Sequence, residues 1–97
     1  MLMVRYRPEV ADDLREAADW YERKRDGLGN DFTIEFWKAM DAVTERPRSF
    51  AKTPTGLRAS RLARFPYVIY FRYDENEIIV YAVMFGGRDP AAWIGRI

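Results

Sequence analysis

The spacing of apolar residues changes period along this chain. Met1 to Tyr6 is a short β-like run that stops at Arg7-Pro8. From Pro8 to about Lys24 the apolar residues fall at helical intervals. Ala11, Leu14, Ala18 and Tyr21 form one stripe, with Ala17 and Trp20 at its margin. Asp12, Asp13, Arg15, Glu16, Asp19, Glu22 and Arg23 take the opposite, solvated face. Proline suits a first helical turn, Glu9 and Asp12 suit the positive end of the helix dipole, and Arg23-Lys24-Arg25 suits the negative end. Asp26-Gly27-Leu28-Gly29-Asn30 is a tight connection, and Asn30 or Asp31 is the predicted cap of a second helix. That helix runs to about Glu45 with Phe32, Phe36, Ala39, Met40 and Val43 as its stripe and Trp37 beside it. Arg46-Pro47 ends it.

Beyond the second helix the period becomes two. Arg46 to Gly56, with two prolines and a glycine, reads as loop. Leu57 to Arg64 has thin apolar content and suits an edge strand, broken by Phe65-Pro66. In the next strand Tyr67, Ile69, Phe71 and Tyr73 share one face, and Val68, Tyr70 and Arg72 share the other. After the polar turn Asp74-Glu75-Asn76-Glu77, Ile78 to Phe85 is apolar on both faces, as a central strand requires. Simple alternation puts Ile78, Val80, Ala82 and Met84 against Ile79, Tyr81, Val83 and Phe85. Gly86-Gly87 ends the run, and Pro90 starts a short helical turn holding Trp93. The order β-α-α-β-β-β predicts an α+β fold: an N-terminal helical hairpin on one face of a small, mainly antiparallel sheet. Residues 1–97 make one domain.

Composition narrows the chemistry. There is no cysteine and no histidine, which removes thiol chemistry, the usual general acid/base and the commonest transition-metal ligand. The acidic residues of the first helix read as a solvated face rather than a metal site, and Gly27-Leu28-Gly29 is too short for a phosphate loop. No cofactor is implied. No run reaches membrane-spanning length and the N-terminus does not read as a signal peptide, so a cytoplasmic protein is the default.

Charge is unevenly laid out. Met1 to Glu45 holds seven basic and eleven acidic residues, whereas Arg46 to Tyr73 holds seven basic residues and no acidic one. Such a run suits an anionic partner, or it solubilises strand edges and pairs with the acidic helices. With helices on one face only, the other face is predicted to display arginines beside aromatics, at Tyr70, Arg72 and around Arg88. Arg88 follows two glycines, and its planar fork of donors matches a phosphate or carboxylate; the alternative is an ion pair with Asp89 or a helix carboxylate. Arg58, Arg61 and Arg64 precede the hairpin as further candidates for binding, or as protective edge charges. Trp93 is read either as core packing or as a stacking platform on the binding face.

At these residues the chain resembles the ParE/RelE superfamily of bacterial type II toxin–antitoxin (plasmid stabilisation) toxins. The resemblance rests on Pro8-Glu9-Val10-Ala11-Asp12-Asp13-Leu14, Trp20-Tyr21-Glu22, Arg46-Pro47, Leu57-Arg58, Phe65-Pro66-Tyr67-Val68-Ile69-Tyr70, and Val83-Met84-Phe85 leading into Arg88-Asp89-Pro90 and Trp93. It covers nearly the whole chain, and the order of the pieces is more specific than any one of them. It implies the fold derived above and a cognate antitoxin, usually encoded alongside, whose flexible segment wraps the toxin. RelE-like members cut messenger RNA on the ribosome. By motif, Arg88 and Arg61 or Arg64 fall at the basic positions of that branch. The lysine cluster of that branch is absent, with only Lys52 nearby, and Trp93 stands where a proton-exchanging tyrosine or histidine is expected. ParE-like members instead bind and poison DNA gyrase. The resemblance therefore implies a ParE-like, binding-type toxin. A RelE-like endoribonuclease and an inactive structural relative are the alternatives.

Overall fold

The computed structural model describes residues 2–97. Strand β1 (Met3–Tyr6) leads into helix α1 (Glu9–Lys24) and helix α2 (Leu28–Glu45). A single 3-10 turn (Pro47–Ser49) and a loop precede strands β2 (Arg58–Arg61), β3 (Tyr67–Tyr73) and β4 (Glu77–Phe85). Two more 3-10 turns, Pro90–Ala92 and Ile94–Arg96, form the C-terminal tail. The four strands are ordered β1-β4-β3-β2. β1 runs parallel to β4, and the other two pairings are antiparallel. The predicted α+β order and mainly antiparallel sheet are thus observed. No described helix is long and apolar enough to cross a membrane.

The main core lies between the helices and one sheet face. Phe32, Phe36 and Val43 from α2 and Ile69, Phe71, Ile78, Val80 and Val83 from the sheet are almost wholly buried there. The α2 stripe is the predicted one. The α1 stripe is the predicted one in part: Leu14, Ala18 and Tyr21 pack against the core, but the most buried residues are Val10, Asp13 and Ala17, and Ala11 is exposed. Asp13 thereby reaches the edge of β4, as described below.

The hairpin between the helices is held by an unpredicted cap. Neither Asn30 nor Asp31 caps α2. The helix begins at Leu28, directly after Gly27, whose φ of 89° favours glycine. The free N–H groups of Gly27 and Gly29 both donate to the Glu22 carboxylate of α1, at 2.9 and 3.0 Å. One side chain of the first helix thereby satisfies the start of the second, where the dipole also favours a negative charge. At Gly29 the two helices approach closely. A β-carbon there would stand 2.5 Å from the carbonyl oxygen of Ala18. Gly29→Ala is therefore expected to lower stability by about 1–3 kcal/mol, despite alanine's better helix propensity. Urea denaturation of the variant checks this, and an unchanged midpoint would show that the helices can part without cost.

On β3 the predicted faces hold: Tyr67, Ile69, Phe71 and Tyr73 point to the main core. On β4 alternation fails. Tyr70 is opposite Ala82 while the next residue, Phe71, is opposite Val80, so Tyr81 is an extra residue. This bulge shifts the phase of everything after it. Ile78, Val80 and Val83 face the helices, and Ile79, Tyr81, Ala82 and Met84 face the other way. That second face is not the open display of arginines and aromatics predicted for it. The C-terminal tail folds over it and makes a smaller core of Leu57, Tyr81, Ala82, Met84 and Trp93, flanked by Tyr70 and Ile79.

Candidate functional site at the β4 edge

β1 covers only the first part of β4, from Glu77 to Val80. Beyond that point the outer edge of β4 has no strand beside it, and its outward backbone groups need other partners. The Tyr81 carbonyl accepts a hydrogen bond from Arg96 Nη1 at 3.2 Å. The Val83 N–H donates to Asp13 Oδ2 at 3.1 Å. The Phe85 carbonyl accepts from the Arg88 N–H at 3.0 Å, within the turn that follows the strand.

Asp13 and Arg96 also join to each other. Arg96 donates through Nη1 to Oδ2 at 2.6 Å and through Nη2 to Oδ1 at 3.0 Å. This two-pronged geometry is the strong form of a guanidinium–carboxylate contact. The Asp13 side chain is only 7% exposed and that of Arg96 17%. The hydrogen bond from Asp13 holds the Arg96 guanidinium above its ordinary pKa, with burial opposing and the charges of Asp13, Glu9 and Asp12 adding to the rise. The sequence reading assigned Asp13 to solvent and did not single out Arg96. The available signal was an acidic residue in register with Val10 and Ala17.

Past this pair, a cleft of about 340 Å³ opens between α1 and the end of β4. Glu16, Trp20 and Tyr21 form the helix wall, and Tyr67, Phe85 and Arg88 form the sheet side. Burial pushes the Tyr67 phenol up, Arg88 opposes it, and Glu16 and Asp13 add to the rise. Burial, reinforced by Tyr67, also pushes Tyr21 up. Both phenols therefore stay protonated near neutral pH and are poor general bases.

The predicted site residues disperse. Arg88 is exposed at the cleft and pairs with no carboxylate among the described residues. The alternative partner Asp89 is engaged elsewhere, accepting from the Ala91 N–H at 2.9 Å. Arg61 is exposed and reaches toward the Gly86 corner, where its Nη1 lies 3.6 Å from the position a β-carbon of Gly86 would occupy. Arg64 turns away to α2. It adopts a left-handed φ of 69° and pairs with Asp31 at 3.5 Å and Glu35 at 3.8 Å, over the ring of Phe65. Arg58 clamps the preceding loop, donating to the Phe50 carbonyl at 2.6 Å. On the second face Arg72 lies over the Tyr81 ring, and Tyr70 packs against Trp93 with ring centroids 4.5 Å apart. Trp93 is 2% exposed, so its ring is core and not a stacking platform. The basic run is therefore not one open field: two of its arginines are spent on internal carbonyls and carboxylates, and Arg72 on an aromatic ring.

A helical hairpin thus packs on a four-stranded mixed sheet, with a cleft beside the free end of the central strand. The family model described as the ParE toxin of the type II toxin-antitoxin system, parDE, matches residues 4–90, and the chain belongs to this family. Among solved structures it is similar to a chain of the "Chromosomal ParDE TA system from P. aeruginosa", with a TM-score of 0.73 and 19% identity. That match covers 86% of this chain and 94% of the other. No curated protein matches the sequence.

Proposed function

We propose that this ParE-family chain arrests bacterial growth by binding and poisoning DNA gyrase, and that a cognate antitoxin neutralises it. The observation that carries this is the state of the ionisable groups at the cleft. Arg88 is free to hold an anionic group, while the neighbouring phenols of Tyr21 and Tyr67 are pushed toward the protonated form. Arg64 and Arg58, two of the other candidate cations, are held by internal partners. An arginine that stays protonated can bind and neutralise charge but cannot take up a proton from a nucleophile. Such a cleft suits docking better than the proton transfers of RNA cleavage.

Purified protein added to a supercoiling assay is expected to stop gyrase and to trap double-strand breaks. Induction in cells is expected to raise an SOS response, relieved by co-expressing the adjacent gene. Arg88→Ala is expected to weaken gyrase inhibition about tenfold, the loss of one charge-assisted contact. Normal supercoiling together with cleaved messages on stalled ribosomes would overturn this proposal in favour of a RelE-like nuclease.

A further inference from the structure

The C-terminal tail contributes a charge that the cleft lining lacks. Three ionised side chains line the cleft: Asp13, Glu16 and Arg88. Taken alone they would leave it net negative and repel an anionic group. Glu16 is exposed, so water and salt screen its charge. The Asp13 side chain is only 7% exposed, and unpaired it would act on the cleft with little screening. The Tyr67 phenol registers these charges: burial pushes it up most, Arg88 opposes the rise, and Glu16 and Asp13 add to it. Arg96 is not part of the lining, but it meets both Asp13 oxygens, at 2.6 and 3.0 Å. Opposite unit charges in such contact largely cancel each other's field at longer range. The Tyr81 carbonyl holds Nη1 of the same guanidinium at 3.2 Å, independently of Asp13.

We infer that Arg96 is a positioning residue that sets the charge selectivity of the cleft: by pairing Asp13 it removes a negative charge from the wall and lets Arg88 draw in an anionic group of the target. It acts through Asp13 and is not a contact residue itself. The inference rests on the proposed role of Arg88 in holding the target. Arg96 lies beyond residues 4–90, the part matched by the family model. The lining of the cleft is thus family sequence, whereas its sign is set by the tail of this chain. A purely structural pair and a sign-setting pair predict opposite results for Asp13→Asn. The asparagine can still accept from the Val83 N–H, and the Tyr81 carbonyl still holds Arg96. The fold is weakened, yet the cleft gains a positive charge.

The test uses the full chain in a Trp37→Phe background, which leaves Trp20 in the cleft wall as the exposed tryptophan, since Trp93 is buried. Fluorescence quenching by iodide, divided by quenching by uncharged acrylamide, reads the local charge at low salt. Asp13→Asn is expected to raise this ratio about twofold and Arg96→Gln to lower it about twofold, the effect of one unit charge roughly 10 Å away in water. The double variant is expected to return to the wild-type ratio. Arg46→Gln, which removes an exposed cation just past the end of α2, is expected to change nothing. Gyrase inhibition is expected to follow the same order, strongest for Asp13→Asn. An unchanged or lower ratio for Asp13→Asn, or a double variant that does not return, would overturn the inference. These two variants decide it even where Arg96→Gln does not fold. Wild-type protein that leaves supercoiling intact would overturn the gyrase reading, and the quenching ratios would still decide this one.

Discussion

Replacing Arg96 by alanine is expected to cost about 3–5 kcal/mol of folding stability, the range for breaking a buried ion pair by removing one partner. The expectation follows from what remains. Asp13, nearly buried, would keep only the Val83 N–H as a partner, and the Tyr81 carbonyl would lose its donor. A domain of this size has a total stability of roughly 5–15 kcal/mol, so the variant would be near the limit of folding. Arg96→Lys restores the charge but not the two-pronged contact, and recovery is expected to be partial. The double change Asp13→Ala with Arg96→Ala is expected to cost less than the sum of its parts, because it leaves no unpaired charge. Urea unfolding followed by tryptophan fluorescence checks all three, since Trp93 lies within the tail that Arg96 anchors. A loss below about 1 kcal/mol for Arg96→Ala would mean that the pair behaves as an ordinary surface bridge.

Phe32→Ala is the second large effect, expected at about 3–5 kcal/mol. Phe32 has no exposed surface and sits at the centre of an aromatic cluster. Its ring lies 5.5 Å from Tyr21, 5.3 Å from Phe65 and 5.1 Å from Tyr67, measured between centroids. Removing it loses the transfer energy of a phenyl group and leaves a cavity that three rings from three different elements cannot jointly fill. Tyr21 and Tyr67 also line the cleft, so its wall would loosen with the core. Phe32→Leu is expected to cost about 1–2 kcal/mol, since most of the volume is kept. Thermal and urea unfolding of both variants measure this, and equal costs would show that the cavity makes no separate contribution.

Much of the fold was legible because it depends on short-range pattern. The α2 stripe from Phe32 to Val43 repeats at helical spacing, and β3 alternates without interruption from Tyr67 to Tyr73. The faces of β4 were not legible, because both alternating sets are apolar. With nothing polar to mark the phase, the sequence does not reveal that Tyr81 is inserted as a bulge. The site was less legible still. Arg64 and Arg88 look alike as isolated arginines beside aromatics. Only the folded chain brings Asp31 and Glu35 to the first and leaves the second without a carboxylate.

The sequence by itself determined the order of elements, the helical hairpin, the central strand and the family. Each of these follows from local periodicity, turn residues and the spacing of short motifs. The tertiary structure decided that Asp13 is buried, that Trp93 closes a second core, that Glu22 caps α2, and that the end of β4 is open. The reason is physical. A strand edge exposes backbone donors and acceptors, and their partners depend on which segments arrive beside them. Asp13 and Arg96 meet across 83 positions of sequence, beyond the reach of any local pattern.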